Sequence, residues 1–286
     1  MRWEEERRSD NVEDRRGSRF PIGRGTIGIG GVVVALIAAA LGAPPGLVRA
    51  LLGGGADTGD PGDPSGPVAP RSPQEEKLAD FTKVVLGSTE DVWNQVMRAG
   101  GRRYAPPRLV LFTDAVESAC GMNSAAVGPF YCPPDKRVYL DLSFFGELDR
   151  RFGAPGDFAQ AYVIAHEVGH HVQNLLGVSD RVHAARAHQS KLEANRESVK
   201  LELQADCLAG VWAFHANRTR KLLEPGDVDE GLRAATAIGD DTLQRQARGR
   251  VVPESFTHGS SQQRVQWFKT GMNSGRVEDC DTFAAM

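Results

Sequence analysis

The stretch from Asp157 to Gly177 constrains the fold more than any other part of the chain, because apolar residues cover most of its surface when it is drawn as a helix. Asp157 is a suitable N-cap residue, and Gly177 suits the left-handed turn that follows a last helical residue. A helix that is apolar on nearly all sides packs inside a core. The sequence therefore predicts a buried central helix over these residues.

An H-E-x-x-H motif lies within this helix, formed by His166, Glu167 and His170. Side chains four residues apart share one helix face, so both imidazoles can reach a single metal ion. Glu167 lies about 100° round the helix from His166, which places it beside the ion as a base for a water molecule. The alternative is a chance spacing, but two imidazoles buried in an apolar helix without partners would cost several kcal/mol.

A third ligand is predicted on a second helical stretch, from about residue 179 to residue 221. Glu202 and Asp206 share a face there with Ala209 and Ala213, whose small side chains would let the two helices approach closely. A buried pair of carboxylates is unfavourable unless positive charge lies opposite. Zinc bound by the two histidines and Glu202 would supply it, and Asp206 would orient one histidine ring. An ordinary surface glutamate is the alternative for Glu202.

These motifs resemble the thermolysin-like zinc peptidases, in which H-E-x-x-H is followed by a glutamate and, four residues later, an aspartate. A wider set of residues resembles the bacterial neutral zinc metallopeptidase family, whose members are tethered to membranes. The extended motif with a third histidine is absent, because Gln173 and Leu176 occupy its later positions. The matching pieces lie at 120–121, 127–133, 138–142, 165–173, 202–207 and 258–261.

The resemblance covers most of the chain after Leu78 and implies a mainly helical α+β, zincin-like domain with a small sheet. It implies Zn²⁺ as the cofactor and a peptide or protein as the substrate. Tyr139 and Leu140 would then belong to an edge strand that pairs with the substrate backbone, or else to an ordinary strand of the sheet. His258 would donate a hydrogen bond to the oxyanion that forms during hydrolysis, or else be a loop histidine bonded to a backbone carbonyl.

The N-terminal region carries separate signals. Residues 1–24 are charged and poor in apolar groups, which predicts a disordered tail. Residues 25–48 carry no charge between Arg24 and Arg49, a stretch long enough to cross a hydrocarbon core of about 30 Å as one transmembrane helix. Arginines precede this stretch, so the positive-inside rule places the tail in the cytoplasm and the rest of the chain in the periplasm or beyond. A cleaved signal peptide is the alternative.

The remaining sequence divides in two. Residues 49–77 are rich in glycine and proline and predict a flexible linker, and residues 78–286 predict the metallopeptidase domain. The 286 residues have a net charge of −3, which gives no argument for a nucleic-acid partner. The four cysteines can form two disulfides, or stay free thiols; no C-x-x-C pair is present for a metal. The two pairs would be Cys120 with Cys132 and Cys207 with Cys280.

The sequence thus favours a membrane-anchored, single-pass zinc peptidase that hydrolyses peptide bonds through a metal-activated water. Two alternatives stay open at this point. One is a zinc-stabilised, membrane-tethered binding protein without turnover, and Glu167 argues mildly against it because the residue has no evident structural role. The other is a zinc amidase that acts on cell-wall peptides.

Overall fold

The computed structural model describes residues 1–17, 71–186 and 188–284. The transmembrane helix predicted at 25–48 lies outside these residues, and none of the described helices is long and apolar enough to cross a bilayer. Most described residues are helical, in agreement with the predicted α+β class. The helices are α1 (Pro73–Ala99), α2 (Ser143–Arg150), α3 (Asp157–Leu175), α4 (Val178–Arg186), α5 (Lys191–Arg220), α6 (Asp227–Ala237), α7 (Asp240–Arg248) and α8 (Ser261–Ser274). The strands are β1 (Val12–Asp14), β2 (Arg108–Phe112), β3 (Ala115–Ser118), β4 (Gly121–Ser124), β5 (Phe130–Cys132) and β6 (Arg137–Asp141).

Helix α1 begins earlier than the sequence indicates. The Ser72 hydroxyl accepts a hydrogen bond from the N–H of Glu75 at 3.1 Å, which satisfies a free donor of the first turn. Pro73 follows it, at a position where a helix tolerates proline. Residues 73–77 therefore belong to the folded domain and not to the linker. The rest of the predicted linker, at 49–70, lies outside the described residues.

The main sheet has four strands in the order β1-β2-β6-β5. Strands β1, β2 and β6 run parallel to one another, and β5 lies at the edge, antiparallel to β6. A separate hairpin, β3–β4, precedes β5 in the chain. The predicted Cys120–Cys132 disulfide is confirmed and ties the end of this hairpin to the edge strand.

The interior position of β6 corrects one prediction. Strand β6 pairs with β2 on one side and with β5 on the other, so neither of its backbone edges is free for a substrate. Tyr139 is 0% exposed, and Leu140 is 1% exposed. The prediction that they form the substrate-binding edge is therefore wrong. The alternating pattern of 137–142 reports burial on the sheet, and it does not report how many neighbours the strand has.

The N-terminal residues are also ordered, contrary to prediction. Residues 1–17 lie against the domain, and β1 within them extends the main sheet. Trp3 is buried and packs edge-on against Phe81 of α1, with ring centroids 5.2 Å apart. Composition predicted disorder because charged residues dominate this stretch. Most of those charges form ion pairs with the domain, and the few apolar side chains are buried.

Helix α3 lies in the core as predicted, with one difference at its start. The N-cap residue is Gly156, at a φ of 113°, and Asp157 is the first residue of the helix. Gly177 follows the C-cap residue at a φ of 72°, the left-handed turn expected there. At Gly169 a Cβ atom would lie 2.9 Å from the carbonyl oxygen of Ala205, so helices α3 and α5 approach closely at this point.

The second helical stretch is two helices instead of one. Ser190 starts α5 with a capping box: its hydroxyl accepts from the N–H of Glu193, and the Glu193 carboxylate accepts from the N–H of Ser190. The chain therefore turns between α4 and α5. The second predicted disulfide, Cys207–Cys280, is confirmed and ties the middle of α5 to the C-terminal region.

Candidate metal centre

Helices α3 and α5 bring three predicted ligands together. His166 Nε2 lies 3.2 Å from Glu202 Oε2, and His170 Nε2 lies 3.5 Å from the same oxygen. One ligand atom from each of the three residues lies within 4.8 Å of the other two. Two imidazole nitrogens and a carboxylate oxygen form the ligand set of catalytic zinc sites, which keep a fourth position for water or substrate.

The buried charges around these ligands fit a divalent cation. Glu167, Glu202 and Asp206 are negative and close together, and Arg264 supplies one positive charge among them. Three carboxylates against one guanidinium leave two negative charges without compensation, and uncompensated buried charge is costly. A Zn²⁺ ion held by His166, His170 and Glu202 would balance them.

The ring of His166 lies between two carboxylates. Its Nδ1 is 2.8 Å from Asp206 Oδ1, and its Nε2 faces Glu202. Burial lowers the pKa of His166, but the charge and hydrogen bond of Asp206 outweigh burial and raise that pKa to about 10. The same field that favours a proton on Nε2 favours a metal ion there. For Glu202, burial raises the pKa, and the charge of His170 and the hydrogen bonds of both histidines hold it well below its usual range.

Asp206 accepts hydrogen bonds from three directions. Besides His166, the Tyr162 hydroxyl donates to it at 2.5 Å, and Arg264 donates through Nε at 2.8 Å and Nη2 at 2.9 Å. A carboxylate saturated in this way fixes the ring of His166 with Nδ1 protonated and Nε2 free for a metal. The sequence predicted the role of Asp206, and it gave no signal for Tyr162 or Arg264.

His170 is oriented by an amide side chain. Its Nδ1 lies 2.8 Å from Gln173 Oε1, and the Gln173 amide donates to the carbonyl of Leu201 and to Gln204 on α5. Because the amide nitrogen is used in those two bonds, Gln173 Oε1 accepts the proton of His170 Nδ1. The Nε2 atom of His170 is then available to a metal. Sequence reasoning noted Gln173 only as a departure from another motif.

Glu167 lies beside the ligands and is buried. Burial raises its pKa, and the positive charges of His166 and His170 lower it; burial has the larger effect, so the pKa lies above the usual value. A carboxylate with a raised pKa is a better proton acceptor near neutral pH.

His258 lies on the loop before α8 with its side chain 51% exposed. Asp240 Oδ2 accepts from the backbone N–H groups of Thr257, His258 and Gly259, and Asp240 Oδ1 lies 3.3 Å from His258 Nδ1. Burial lowers the pKa of His258, but the bond to Asp240 and the charge of Glu202 outweigh it and raise that pKa. The histidine is therefore within electrostatic range of the metal ligands, and its side chain bonds a carboxylate instead of a backbone carbonyl.

The Asp206 network leads to a first prediction. An Asp206→Asn variant leaves Arg264 buried without its ion pair and weakens the orientation of His166. We expect zinc affinity to fall by about 10- to 100-fold and stability to fall by about 3 kcal/mol or more. Competition titration with a zinc chelator and urea unfolding measure the two effects. The control is Asp229→Asn, an exposed aspartate on α6; equal behaviour of the two variants would contradict the role of the network.

Comparison with known proteins agrees with this site. Residues 1–283 match the family described as "Putative neutral zinc metallopeptidase", and the chain belongs to that family. The "Uncharacterized protein YpfJ" of Escherichia coli (strain K12) is 47% identical over 295 residues, which cover 99% of each chain. The "Uncharacterized protein Rv2575" of Mycobacterium tuberculosis (strain ATCC 25618 / H37Rv) is 45% identical over 208 residues, 69% of this chain and 68% of that one. No solved structure matches the chain.

Proposed function

We propose that this protein is a zinc-dependent peptidase that hydrolyses peptide bonds. The observation that carries the proposal is the convergence of His166, His170 and Glu202 on one point, with the buried carboxylate of Glu167 beside it. A purely structural zinc site is closed by four protein ligands. Three ligands with an adjacent base are the arrangement of a hydrolytic site, which argues against a binding protein without turnover.

When bound, zinc supplies Lewis acidity, which acidifies a water molecule and polarises the scissile carbonyl. Glu167 accepts the proton of the attacking water and passes it to the leaving amine, a double role that suits its raised pKa. His258, held by Asp240, donates to the oxyanion on the face away from helix α3. Asp206 and Gln173 keep the two ligating rings in a fixed tautomer.

Strand β5 is the edge that an extended peptide would use, in place of β6. It is the antiparallel edge of the sheet, and one of its backbone edges is not paired with β6. The Tyr131 hydroxyl bonds His171 Nδ1 at 3.0 Å and Asn174 at 2.9 Å, which fastens β5 to helix α3 next to His170. Backbone pairing with such an edge binds peptides of many sequences.

A proteolysis assay tests the proposal. We expect the purified full chain to hydrolyse casein, to lose the activity with 1,10-phenanthroline, and to regain it when zinc is added back. Hydrolysis that survives removal of the metal would contradict the mechanism. A preparation that cleaves muropeptides and leaves casein intact would instead indicate an amidase of the cell wall.

Membrane attachment through residues 25–48 is a separate part of the proposal. The uncharged run between Arg24 and Arg49 supports it. The two disulfides support a location outside the cytoplasm, because such bonds persist in oxidising compartments. Recovery of the full chain in the membrane fraction, and its release when residues 25–48 are deleted, is the expected result.

A further inference from the structure

We infer that residues 1–17 and residues 71–284 lie on the same side of the membrane, because the two stretches share one sheet, one core and a common set of buried charges. This differs from the arrangement that the charge pattern predicts, with the N-terminal residues in the cytoplasm and the domain outside. Segments on opposite sides of a bilayer cannot be in contact. The inference concerns the path of the chain and does not depend on peptidase activity.

Backbone hydrogen bonds join the N-terminal segment (residues 1–17) to the domain at several points. Strand β1 pairs with β2 in register, with Val12 opposite Leu109 and Asp14 opposite Leu111. Outside the strands, Ser9 N–H donates to the carbonyl of Lys83 at 3.0 Å. Without this segment, the outer edge of β2 would be an unpaired strand edge, which folded proteins normally cover or pair.

Glu90 of α1 recognises the segment through its side chains. It is 5% exposed, and its carboxylate accepts from Arg7 at 2.6 Å, Ser9 at 2.5 Å and Asn11 at 2.7 Å. All three donors belong to the N-terminal segment. A buried carboxylate that lost them would keep its charge without partners, at a cost of several kcal/mol. The domain is therefore built to hold this segment.

A glycine on α1 makes room for the segment. A Cβ atom at Gly87 would lie 2.7 Å from the carbonyl oxygen of Arg7, closer than side chains and backbone approach in folded proteins. Glycine inside a helix is unfavourable relative to alanine. Its presence in the middle of α1 is explained by the close passage of the N-terminal backbone.

The two ends of the undescribed stretch between residues 17 and 71 meet in space. The Arg71 guanidinium donates to the carbonyl of Arg16 at 3.2 Å and to Asp14 at 2.8 Å. Arg16 itself is buried and pairs with Asp14, Glu75 and Glu76. The chain thus leaves the domain and returns to it at one place, which fits a departure and a return on one side of a bilayer.

Labelling of single introduced cysteines tests the inference in the full chain. Asp10 and Arg245 are exposed, the first in the segment and the second on α7, and the four native cysteines are paired. We expect Asp10→Cys and Arg245→Cys to react with a membrane-impermeant maleimide to the same extent in spheroplasts. Reaction of one before lysis and of the other only after lysis would overturn the inference. If both reacted only after lysis, the shared side would be the cytoplasm, and the inference itself would stand.

Limited trypsin digestion of the purified full chain tests the contacts themselves. We expect Gly87→Ala to expose the arginines of the segment to rapid cleavage, whereas Gly100→Ala on the same helix leaves the wild-type pattern, because its Cβ would meet nothing closer than 3.5 Å. Asn11→Ala removes one donor to Glu90 without adding bulk, and we expect it to give a smaller change in the same direction. Wild-type digestion of both Gly87→Ala and Asn11→Ala would contradict the docking of the segment.

Discussion

A Glu167→Gln variant is expected to lose nearly all hydrolytic activity, with kcat lower by about 10³-fold or more, while it keeps its zinc. The amide has the shape of the carboxylate and cannot accept the proton of the attacking water. Loss of a well-placed general base costs about 10² to 10⁴ in rate. Glu167 points beside the ligands and is not one of them, so His166, His170 and Glu202 should hold the metal as before.

Casein hydrolysis and elemental analysis on the same preparation measure the two halves of this prediction. Glu147→Gln, an exposed position on α2, is the matched control and should behave as wild type in both assays. Wild-type turnover by Glu167→Gln would remove the proposed base. Loss of zinc together with activity would show that Glu167 is a ligand, and the division of roles within the motif would be wrong.

A Glu202→Gln variant is expected to bind zinc more weakly by more than about 100-fold, the upper end of the loss seen when an outer partner alone is removed. Glu202 supplies the charged ligand of the set, and both histidines face one of its oxygens. Its amide would keep the volume and lose the charge. Activity should fall with zinc occupancy and recover in part at high zinc concentration, unlike that of Glu167→Gln.

Zinc titration and thermal unfolding separate this variant from wild type. A ligand that binds the folded state raises its melting temperature in proportion to the logarithm of the ligand concentration over Kd. Zinc should therefore raise the melting temperature of the wild-type chain and of Glu197→Gln, a control on the same helix. It should have little effect on Glu202→Gln. Equal zinc contents of the two variants would reject Glu202 as a ligand.

The sequence predicted the site where its geometry is local to one helix. The four-residue spacing of His166 and His170, and that of Glu202 and Asp206, fixes which face each pair shares. The close approach of α3 and α5 followed from the small residues on α5, and the structure adds Gly169 opposite Ala205. Helical periodicity carries this information, so one sequence was sufficient.

The parts that sequence reasoning missed depend on contacts between distant segments. Arg264 bonds Asp206 across 58 positions, and Asp240 orients His258 across 18. Neither arginine nor aspartate in a polar helix gives a signal of its own. Burial of β6 on the sheet was correctly indicated, and its interior place was not, because alternation is the same in edge and central strands.

The N-terminal segment shows a different limit. Its charge density is typical of disordered chains. Composition does not record that Glu90, a single residue of α1, is placed to accept from Arg7, Ser9 and Asn11. Specific pairing of charges, which depends on the tertiary structure, makes the difference between a tail and an integral strand.

Anomalous diffraction at the zinc edge, from crystals of the purified protein, tests the central claim most directly. We predict one strong peak within about 2.0–2.2 Å of His166 Nε2, His170 Nε2 and a carboxylate oxygen of Glu202, with Glu167 beside the peak and outside bonding distance. A peak at the other cluster of acidic side chains, Asp157, Asp227 and Glu230, or no peak at all in zinc-loaded protein, would contradict the proposed site and the hydrolysis derived from it.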